Sequence, residues 1–187
     1  AHTYDAGGNP GEEANMAKSE MQGYEDVTLY QLSDEREQEL LRKQIECNFI
    51  WTNKAGHGLG VIMNYVARNG SIWVTATSQR ARVKALRRDP RASVVISSMG
   101  TDMGPGKTIT YMGRVIIHDD QATKDWFYPA MAKIISPYPA PTVEAAMKHL
   151  DTPLRVILEL VPEKAIKFDG DSISKASYDG KVPGHEA

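Results

Sequence analysis

Cysteine is almost absent from this sequence: Cys47 is the only one in 187 residues. An intrachain disulfide and a cysteine-based metal cluster are therefore excluded, and a reducing compartment is favoured. Also missing are a run approaching the roughly 18 apolar residues of a membrane span and, in residues 1–20, the apolar segment of a signal peptide. These absences predict a cytoplasmic protein without a membrane span.

A strong charge imbalance is missing as well. The chain has a net charge of −2, with 41% hydrophobic and 25% charged residues, which is typical of a globular protein with one sizeable core. A protein that coats nucleic acid is usually basic across a whole face, so no nucleic-acid partner is expected. We expect one domain over residues 28–170, preceded by a flexible arm at 1–27 and followed by a loose tail at 171–187.

Short runs rich in β-branched and aromatic residues occupy the middle of the chain and predict a mainly β, α+β fold. Asn69-Gly70 separates two of these runs and is a strong hairpin signal. Strands of this length with short connections are expected to pair mostly antiparallel and to close into a small barrel, which removes exposed edges. The predicted strands cover residues 47–53, 59–67, 71–77, 92–98, 107–119 and 153–170, and the predicted helices cover 32–46, 81–88, 120–135 and 142–150.

The segment GPGKT at residues 104–108 looks like the end of a phosphate-binding Walker loop. That motif needs a glycine at the position that Thr101 occupies here, and it precedes a helix whose backbone amides hold the phosphates. The residues that follow, ITYMGRVII, predict a strand instead. A turn rich in glycine and proline is therefore the better interpretation.

Metal binding and hydrolase chemistry find no support in the sequence. His57, His118 and His149 are scattered without metal-ligand spacing, so no metal site is predicted. The serine pair that begins at Ser97 lacks the flanking residues of a nucleophile elbow. Cys47 has no recognisable partner and is expected to be a buried spectator. No catalytic residue is assigned.

The segment SQRARVKALRRDPRASV, residues 78–94, holds six basic side chains and a single acid. Arg80 and Lys84 are four residues apart and share one face of a helix that begins near residue 80. Arg82 lies at the helix start, where free amides and the helix dipole add to its attraction for an anion. The basic residues at the far end, which suit a helix C-terminus and solvent, are Arg87, Arg88 and Arg91.

Three interpretations of this basic segment stay open. The first half could hold a phosphate, the whole segment could be a solvated helix, or it could bind nucleic acid. The third is the weakest, because no aromatic or basic stripe extends the segment elsewhere in the chain. The ordered spacing of the first three cations favours a small anionic ligand.

The strand order, the Asn-Gly hairpin and the segment SIWVTATSQRARVKALRRDPRASVVIS, residues 71–97, together resemble a known family. The chain is similar to the split β-barrel flavoproteins of the pyridoxamine 5'-phosphate oxidase-like superfamily, and within it to the actinobacterial flavin- and deazaflavin-dependent reductases. The resemblance covers about residues 33–168. It implies an FMN-binding type of split barrel with about six strands, a homodimer with two cofactors between the barrels, and a small-molecule substrate.

The resemblance also implies which residues hold the cofactor. Its phosphate would be bound where the third strand passes into the short helix, by Arg82 first and then by Lys84 and Arg80. Its ring would lie along the second and third strands. The implied ring-binding positions are Val61, Met63, Asn64, Tyr65, Thr75, Ala76 and Thr77.

The expected cofactor is coenzyme F-420, with FMN as the alternative. The implied activity is hydride transfer from F-420 to a small unsaturated or quinone-like acceptor. An FMN-dependent reductase or oxidase, and a non-catalytic carrier of F-420 or flavin, are the alternatives. The Ser-Arg-Lys of the vitamin B6 oxidases is replaced here by Arg80, Ala81 and Arg82, so vitamin B6 oxidation is not implied.

Two features of the site have more than one interpretation. The proton donor is unassigned, with Tyr65 and solvent as candidates. The helical insert at residues 120–150, which contains Trp126, Phe127, Tyr128 and Tyr138, is expected either to roof the ligand pocket or to line the dimer interface. Substrate choice is expected to depend on this insert and on the loop at residues 99–106.

Overall fold

The computed structural model of the protein describes residues 27–179. The predicted N-terminal arm therefore lies, except for Val27, outside the described residues. No helix among residues 27–179 is both long and apolar enough to cross a membrane.

After a 3-10 turn at Val27–Leu29, the strands are β1 (Glu46–Thr52), β2 (Gly58–Asn64), β3 (Val66–Arg68), β4 (Ser71–Thr77), β5 (Arg91–Ser97), β6 (Lys107–His118) and β7 (Arg155–Asp169). The helices are α1 (Asp34–Lys43), α2 (Ala81–Arg88), α3 (Gln121–Ile135), α4 (Val143–Leu150) and α5 (Gly170–Asp179).

The first helix begins where its capping residue predicts. The Ser33 hydroxyl accepts a hydrogen bond from the Arg36 amide at 3.3 Å, and acidic residues occupy the first turn, where the helix dipole favours them. Leu40 is the buried residue of α1 and packs into the barrel. The helix therefore packs against the barrel.

All strand pairs are antiparallel, and the sheet order is β2-β1-β5-β6-β7-β4-β3. The two edge strands, β2 and β3, are separated in the chain by Tyr65 alone. In a flat sheet seven strands would place these edges about 29 Å apart, whereas two peptide steps span about 7 Å. The sheet must therefore curl until its edges meet at Tyr65, and the predicted split β-barrel is confirmed. The predicted strand at 59–67 is divided by this junction, which gives seven strands instead of six.

Alternating residues of the curled sheet fill the barrel. Phe49 of β1, Val94 of β5, Ile109 of β6 and Leu158 of β7 are each fully buried inside it. Complete burial of an aliphatic or aromatic side chain contributes about 1.5–3 kcal/mol to stability. The apolar interior is thus the main source of the free energy that holds the strands in register.

A second apolar cluster lies outside the barrel, beneath the α3–α4 hairpin. Trp73 of β4 and Ile157 of β7 face outward and pack against Phe127 and Met131 of α3. The rings of Trp73 and Trp126 meet nearly at right angles, with a centroid distance of 4.8 Å. Strand β4 is buried on both faces as a result, and the hairpin is fixed against the outer side of the sheet.

The segment at 104–108 forms a turn that leads into β6, as predicted. Lys107 is only 1% exposed, and its Nζ donates to the carbonyl oxygens of Met103 at 2.9 Å and Pro105 at 3.2 Å. It also pairs with Asp171 in the first turn of α5 at 2.6 Å. The tail was predicted to be loose from residue 171 onward, but it is helical as far as Asp179. The rest of the tail lies outside the described residues.

Candidate functional site

The site is built around the start of α2, immediately after β4. Arg80 occupies the N-cap position of this helix and its side chain makes no capping hydrogen bond. An arginine side chain has no acceptor for the first helical amides, which serine or aspartate at this position would satisfy. Val83 and Leu86 face the barrel and bury completely or nearly so. The amide end of α2 is therefore presented together with basic side chains.

The far half of the basic segment is structural. Arg88 donates from Nη2 to the Thr52 carbonyl oxygen at 3.2 Å. Arg91 begins β5 and forms an ion pair with Asp89 at 2.7 Å. The Arg91 guanidinium lowers the pKa of the Asp89 carboxyl to about 2. Arg88 and Arg91 have partners within the protein, whereas the side chains of Arg80, Arg82 and Lys84 have no hydrogen-bond or ion-pair partner among residues 27–179.

Arg82 is partly buried, and its Nε is buried without a hydrogen-bond partner among residues 27–179. Within the same range, no carboxylate lies within the 4.0 Å of an ion pair with Arg82. Burial and the neighbouring Arg80 charge both lower the pKa of the Arg82 guanidinium. A buried charge-bearing donor without a partner is costly. The side chain is thus arranged to receive an anion.

Arg155, the first residue of β7, joins this corner from a distant part of the sequence. It lies opposite Thr77 in the β4–β7 register, and its Nε is also buried without a partner among the described residues. Burial is the main cause that lowers the pKa of the Arg155 guanidinium, and the charge of Arg80 adds to it. Arg80 therefore interacts electrostatically with both Arg82 and Arg155, and we call these three residues the arginine cluster.

A cavity of about 480 Å³ lies beside the arginine cluster, between the sheet and the α3–α4 hairpin. Its polar groups are few. The Thr75 hydroxyl donates to the Val156 carbonyl oxygen at 2.8 Å, and the Asn64 amide donates to the Ile45 carbonyl oxygen at 3.3 Å, so both keep oxygen lone pairs for a ligand. The lining residues are Met63, Asn64, Thr75, Met131, Ile135, Pro139, Ala140, Pro141, Ala145, His149, Leu150 and Arg155.

The structure brings some of the expected ring-binding residues to this cavity and leaves others away from it. Met63, Asn64 and Thr75 line it. Val61 packs on the barrel interior, and Thr77 is half-buried opposite Arg155.

Tyr65 and Ala76 are each 2% exposed and belong to the barrel core. The Tyr65 hydroxyl donates to the Leu41 carbonyl oxygen at 3.3 Å, and burial raises the pKa of this tyrosine. Tyr65 is therefore not placed to give a proton to a ligand in the cavity. Among the expected phosphate-binding residues, Lys84 is exposed on α2 and does not line the cavity.

The helical insert roofs the cavity. Met131 and Ile135 of α3 and Leu150 of α4 supply apolar wall, whereas Tyr138, in the connection between the two helices, is 86% exposed. The loop at residues 99–106, expected to influence substrate choice, does not contribute to the cavity.

Arg155 is the residue that sequence reasoning missed. It stands alone between Leu154 and Val156 and carries no local motif. The pairing of β4 with β7 brings it opposite the end of β4, just before the basic segment. The one signal in the sequence was its position at the start of the last predicted strand.

The chain has a split β-barrel fold, with a basic corner beside a roofed cavity. No protein-family model and no curated protein matches the chain.

Solved structures do match. A conserved hypothetical protein of Mycobacterium tuberculosis aligns with 84% of this chain and 93% of its own, at 16% identity and a TM-score of 0.65. A provisionally assigned pyridoxamine 5'-phosphate oxidase from Listeria innocua aligns over 71% and 95%, at 14% identity and a TM-score of 0.55. An F-420 reductase aligns over 69% and 94%, at 17% identity and a TM-score of 0.53. At these identities the likeness shows a shared fold.

Proposed function

We propose that the protein is an oxidoreductase that binds coenzyme F-420 and transfers a hydride to a small unsaturated or quinone-like acceptor. The observation that carries the proposal is the partly buried Arg82 at the start of α2, whose Nε has no partner among the described residues. The shared fold with an F-420 reductase supports the choice of cofactor. FMN is the alternative cofactor on the same scaffold.

The residues at the start of α2 fit a phosphate group. Arg82 would donate its free Nε–H to a phosphate oxygen, and charge-assisted bonds of this kind are roughly twice as strong as neutral ones. The uncapped amides of α2 add donors and a favourable dipole. Arg80 and Lys84 are exposed beside them and suit the extended anionic tail of F-420. Together these groups would fix one end of the cofactor.

The cavity residues would orient the ring of the cofactor and exclude water. Met63 offers an apolar, adaptable surface, while Thr75 and Asn64 offer hydrogen-bond acceptors to a polar ring edge. When bound, a reduced deazaflavin or flavin supplies the hydride that an acceptor receives. The α3–α4 roof keeps solvent away from the reacting atoms, and its apolar side chains suit an apolar acceptor.

We also propose that two copies of the chain associate through the outer face of β2, β1, β5, β6 and β7. One row across these strands contains Ile62, Asn48, Val95, Thr110 and Ile166, and it carries no charge. Ile62 is 65% exposed and Ile166 is 54% exposed. An uncharged row that ends in exposed aliphatic residues and is flanked by charged positions such as Glu46 and Lys164 fits a homodimer interface with an apolar centre and a polar rim.

Sedimentation equilibrium tests this association with the variant Ile62→Asp. We expect the wild-type protein to be a dimer, and Ile62→Asp to be largely monomeric, since the charge would be desolvated at the interface. Val143→Asp, which changes an exposed apolar residue of α4 outside this face, is the matched control and should stay dimeric. A monomeric wild-type protein would contradict the proposal.

Fluorescence titration with F-420 and with FMN tests the cofactor. We expect tight F-420 binding that Arg82→Ala weakens by about 1.5–3 kcal/mol, as expected for loss of a hydrogen bond to a charged group. Arg87→Ala removes an exposed arginine from the other end of α2 and should leave the affinity unchanged.

The alternatives give distinct outcomes. Tight binding of FMN without F-420 would indicate an FMN-dependent enzyme. Stoichiometric binding without turnover over a panel of acceptors would indicate a carrier. Binding of neither cofactor would overturn the proposal.

A further inference from the structure

Arg155 is the one permanently charged side chain that lines the roofed cavity, and no aspartate or glutamate lines it. Among residues 27–179, no carboxylate lies within ion-pair distance of its guanidinium. Of its five N–H donors, one reaches the His149 carbonyl oxygen at 3.1 Å, and Nε is buried without a partner. This cation is half-buried with its charge unmatched.

A second orphan polar group lies close to the first. The Tyr128 hydroxyl of α3 is buried and, within the described range, has no hydrogen-bond partner; it interacts electrostatically with Arg155. Among residues 27–179 three buried side-chain polar atoms lack partners, and they belong to Arg82, Tyr128 and Arg155. Buried polar groups are normally satisfied. Of these three residues Arg155 is the one that lines the cavity, so its Nε marks where an occupant of the cavity would supply the missing acceptor.

The rest of the cavity is apolar. Its walls are formed by methionine, isoleucine, leucine, proline and alanine side chains, and its size suits a small organic molecule. Arg82 does not line it, so the charge inside the cavity is a separate feature from the charge at the start of α2. The lining therefore suits an occupant that combines an apolar body with one acidic group.

We propose that Arg155 is the charge-recognition residue of this cavity, which takes an organic anion with an apolar body and a carboxylate or phosphate group. This assignment rests on the proposed function, because the proposed cofactor ring and this anion would occupy the same cavity. The acidic group has two possible sources, the phosphate of the cofactor or a carboxylate of the hydride acceptor. The shared chemistry is the ion pair between that group and the Arg155 guanidinium, which is planar and suited to bidentate contact.

Two dyes with nearly the same aromatic body test the proposal by fluorescence titration. 8-Anilinonaphthalene-1-sulfonate carries an anionic group and N-phenyl-1-naphthylamine is uncharged. We expect the wild-type protein to bind the anionic dye at least tenfold more tightly, and Arg155→Gln to lose that preference while binding the neutral dye as before. Arg87→Gln, a change of the same charge at an exposed position of α2, should match the wild type.

Arg155→Lys guards against a folding defect, because it keeps the charge. This variant should retain part of the preference for the anionic dye, and circular dichroism melting checks the fold of each variant. Equal wild-type affinity for the two dyes would overturn the proposal. So would an Arg155→Gln variant that still prefers the anion.

Titrating Arg155→Gln with F-420 and with FMN separates the two sources. Loss of cofactor affinity by about tenfold or more assigns the acidic group to the cofactor phosphate. Unchanged cofactor affinity, together with the lost dye preference, assigns it to the acceptor. If neither cofactor binds the wild-type protein, the proposed function fails while the dye result still decides whether Arg155 recognises an anion.

Discussion

Two groups of cations in this protein differ in whether their charges are matched. Lys107 is almost fully buried, yet two carbonyl oxygens and Asp171 accept from its ammonium group. In the arginine cluster, Arg82 and Arg155 are less buried, but each has an Nε without a partner among the described residues.

Unused donors, and not burial, distinguish a cation that binds a ligand from one that stabilises the fold. Burial alone would have selected Lys107, which also stands in the segment that looks like a phosphate loop. The count of unsatisfied donors selects Arg82 and Arg155 instead. A buried cation with all its donors used belongs to the fold, because removing any partner leaves a costly orphan. A cation with donors left over is arranged for a molecule that arrives from solvent.

The largest effect is expected at Lys107. Lys107→Met keeps the stem but removes the ammonium group that joins the turn at 103–105 to α5, and it leaves the Met103 and Pro105 carbonyls without this donor. Urea unfolding should show a loss of about 2–4 kcal/mol. Lys164→Met, at an exposed position of β7, should change stability by less than about 0.5 kcal/mol. If Lys107→Met were as stable as the wild type, Lys107 would not be a structural cation.

A smaller effect is expected for the paired half of the basic segment. Arg91 holds the folded-state pKa of Asp89 at about 2, below the roughly 3.9 of an unfolded chain. The ion pair therefore stabilises the protein fully above about pH 4, and this contribution is lost as the pH falls through 2.

Asp89→Asn should accordingly be less stable than the wild type at pH 7, and the two urea unfolding midpoints should converge between pH 4 and 2. Asp119→Asn, which changes an exposed carboxylate after β6, serves as the control and should show no such convergence. A difference between Asp89→Asn and the wild type that persists at pH 2 would show that the pair is not its source.

The smallest effect on the ligand-free protein is expected at Arg82. Because its charge is unmatched, Arg82→Ala should change the free energy of unfolding by less than about 0.5 kcal/mol in phosphate-free buffer. Added inorganic phosphate should raise the melting temperature of the wild type, by mass action on the folded state, and not that of the variant. A large loss of stability without phosphate would place Arg82 with the structural cations.

Local chemistry allowed much of the fold to be predicted from the sequence. The Ser33 cap, the Asn69-Gly70 turn and the alternating strands each depend on neighbouring residues, and each appears as expected. Asn69 and Gly70 both adopt positive φ, of 52° and 77°, as a tight hairpin requires.

The candidate site was predicted less completely, because it depends on contacts between distant residues. The basic start of α2 is local in sequence and was recognised. Arg155 reaches it only through the β4–β7 pairing. Tyr65 and Ala76 were assigned to the ring site because they lie on the right strands, but the curl of the sheet turns both side chains into the barrel core.

The junction at Tyr65 also bears on the order in which the molecule folds. The β3–β4 hairpin needs only local contacts, whereas the barrel closes at the β2–β3 junction only when β1, β5, β6, β7 and β4 have paired in order between the two edge strands. Non-local pairing is slow to form. Met63 and Asn64, which precede the junction, line the cavity together with Arg155 from the last strand. The cavity is therefore a late product of folding, and recovery of dye binding after dilution from urea should lag behind the recovery of secondary structure.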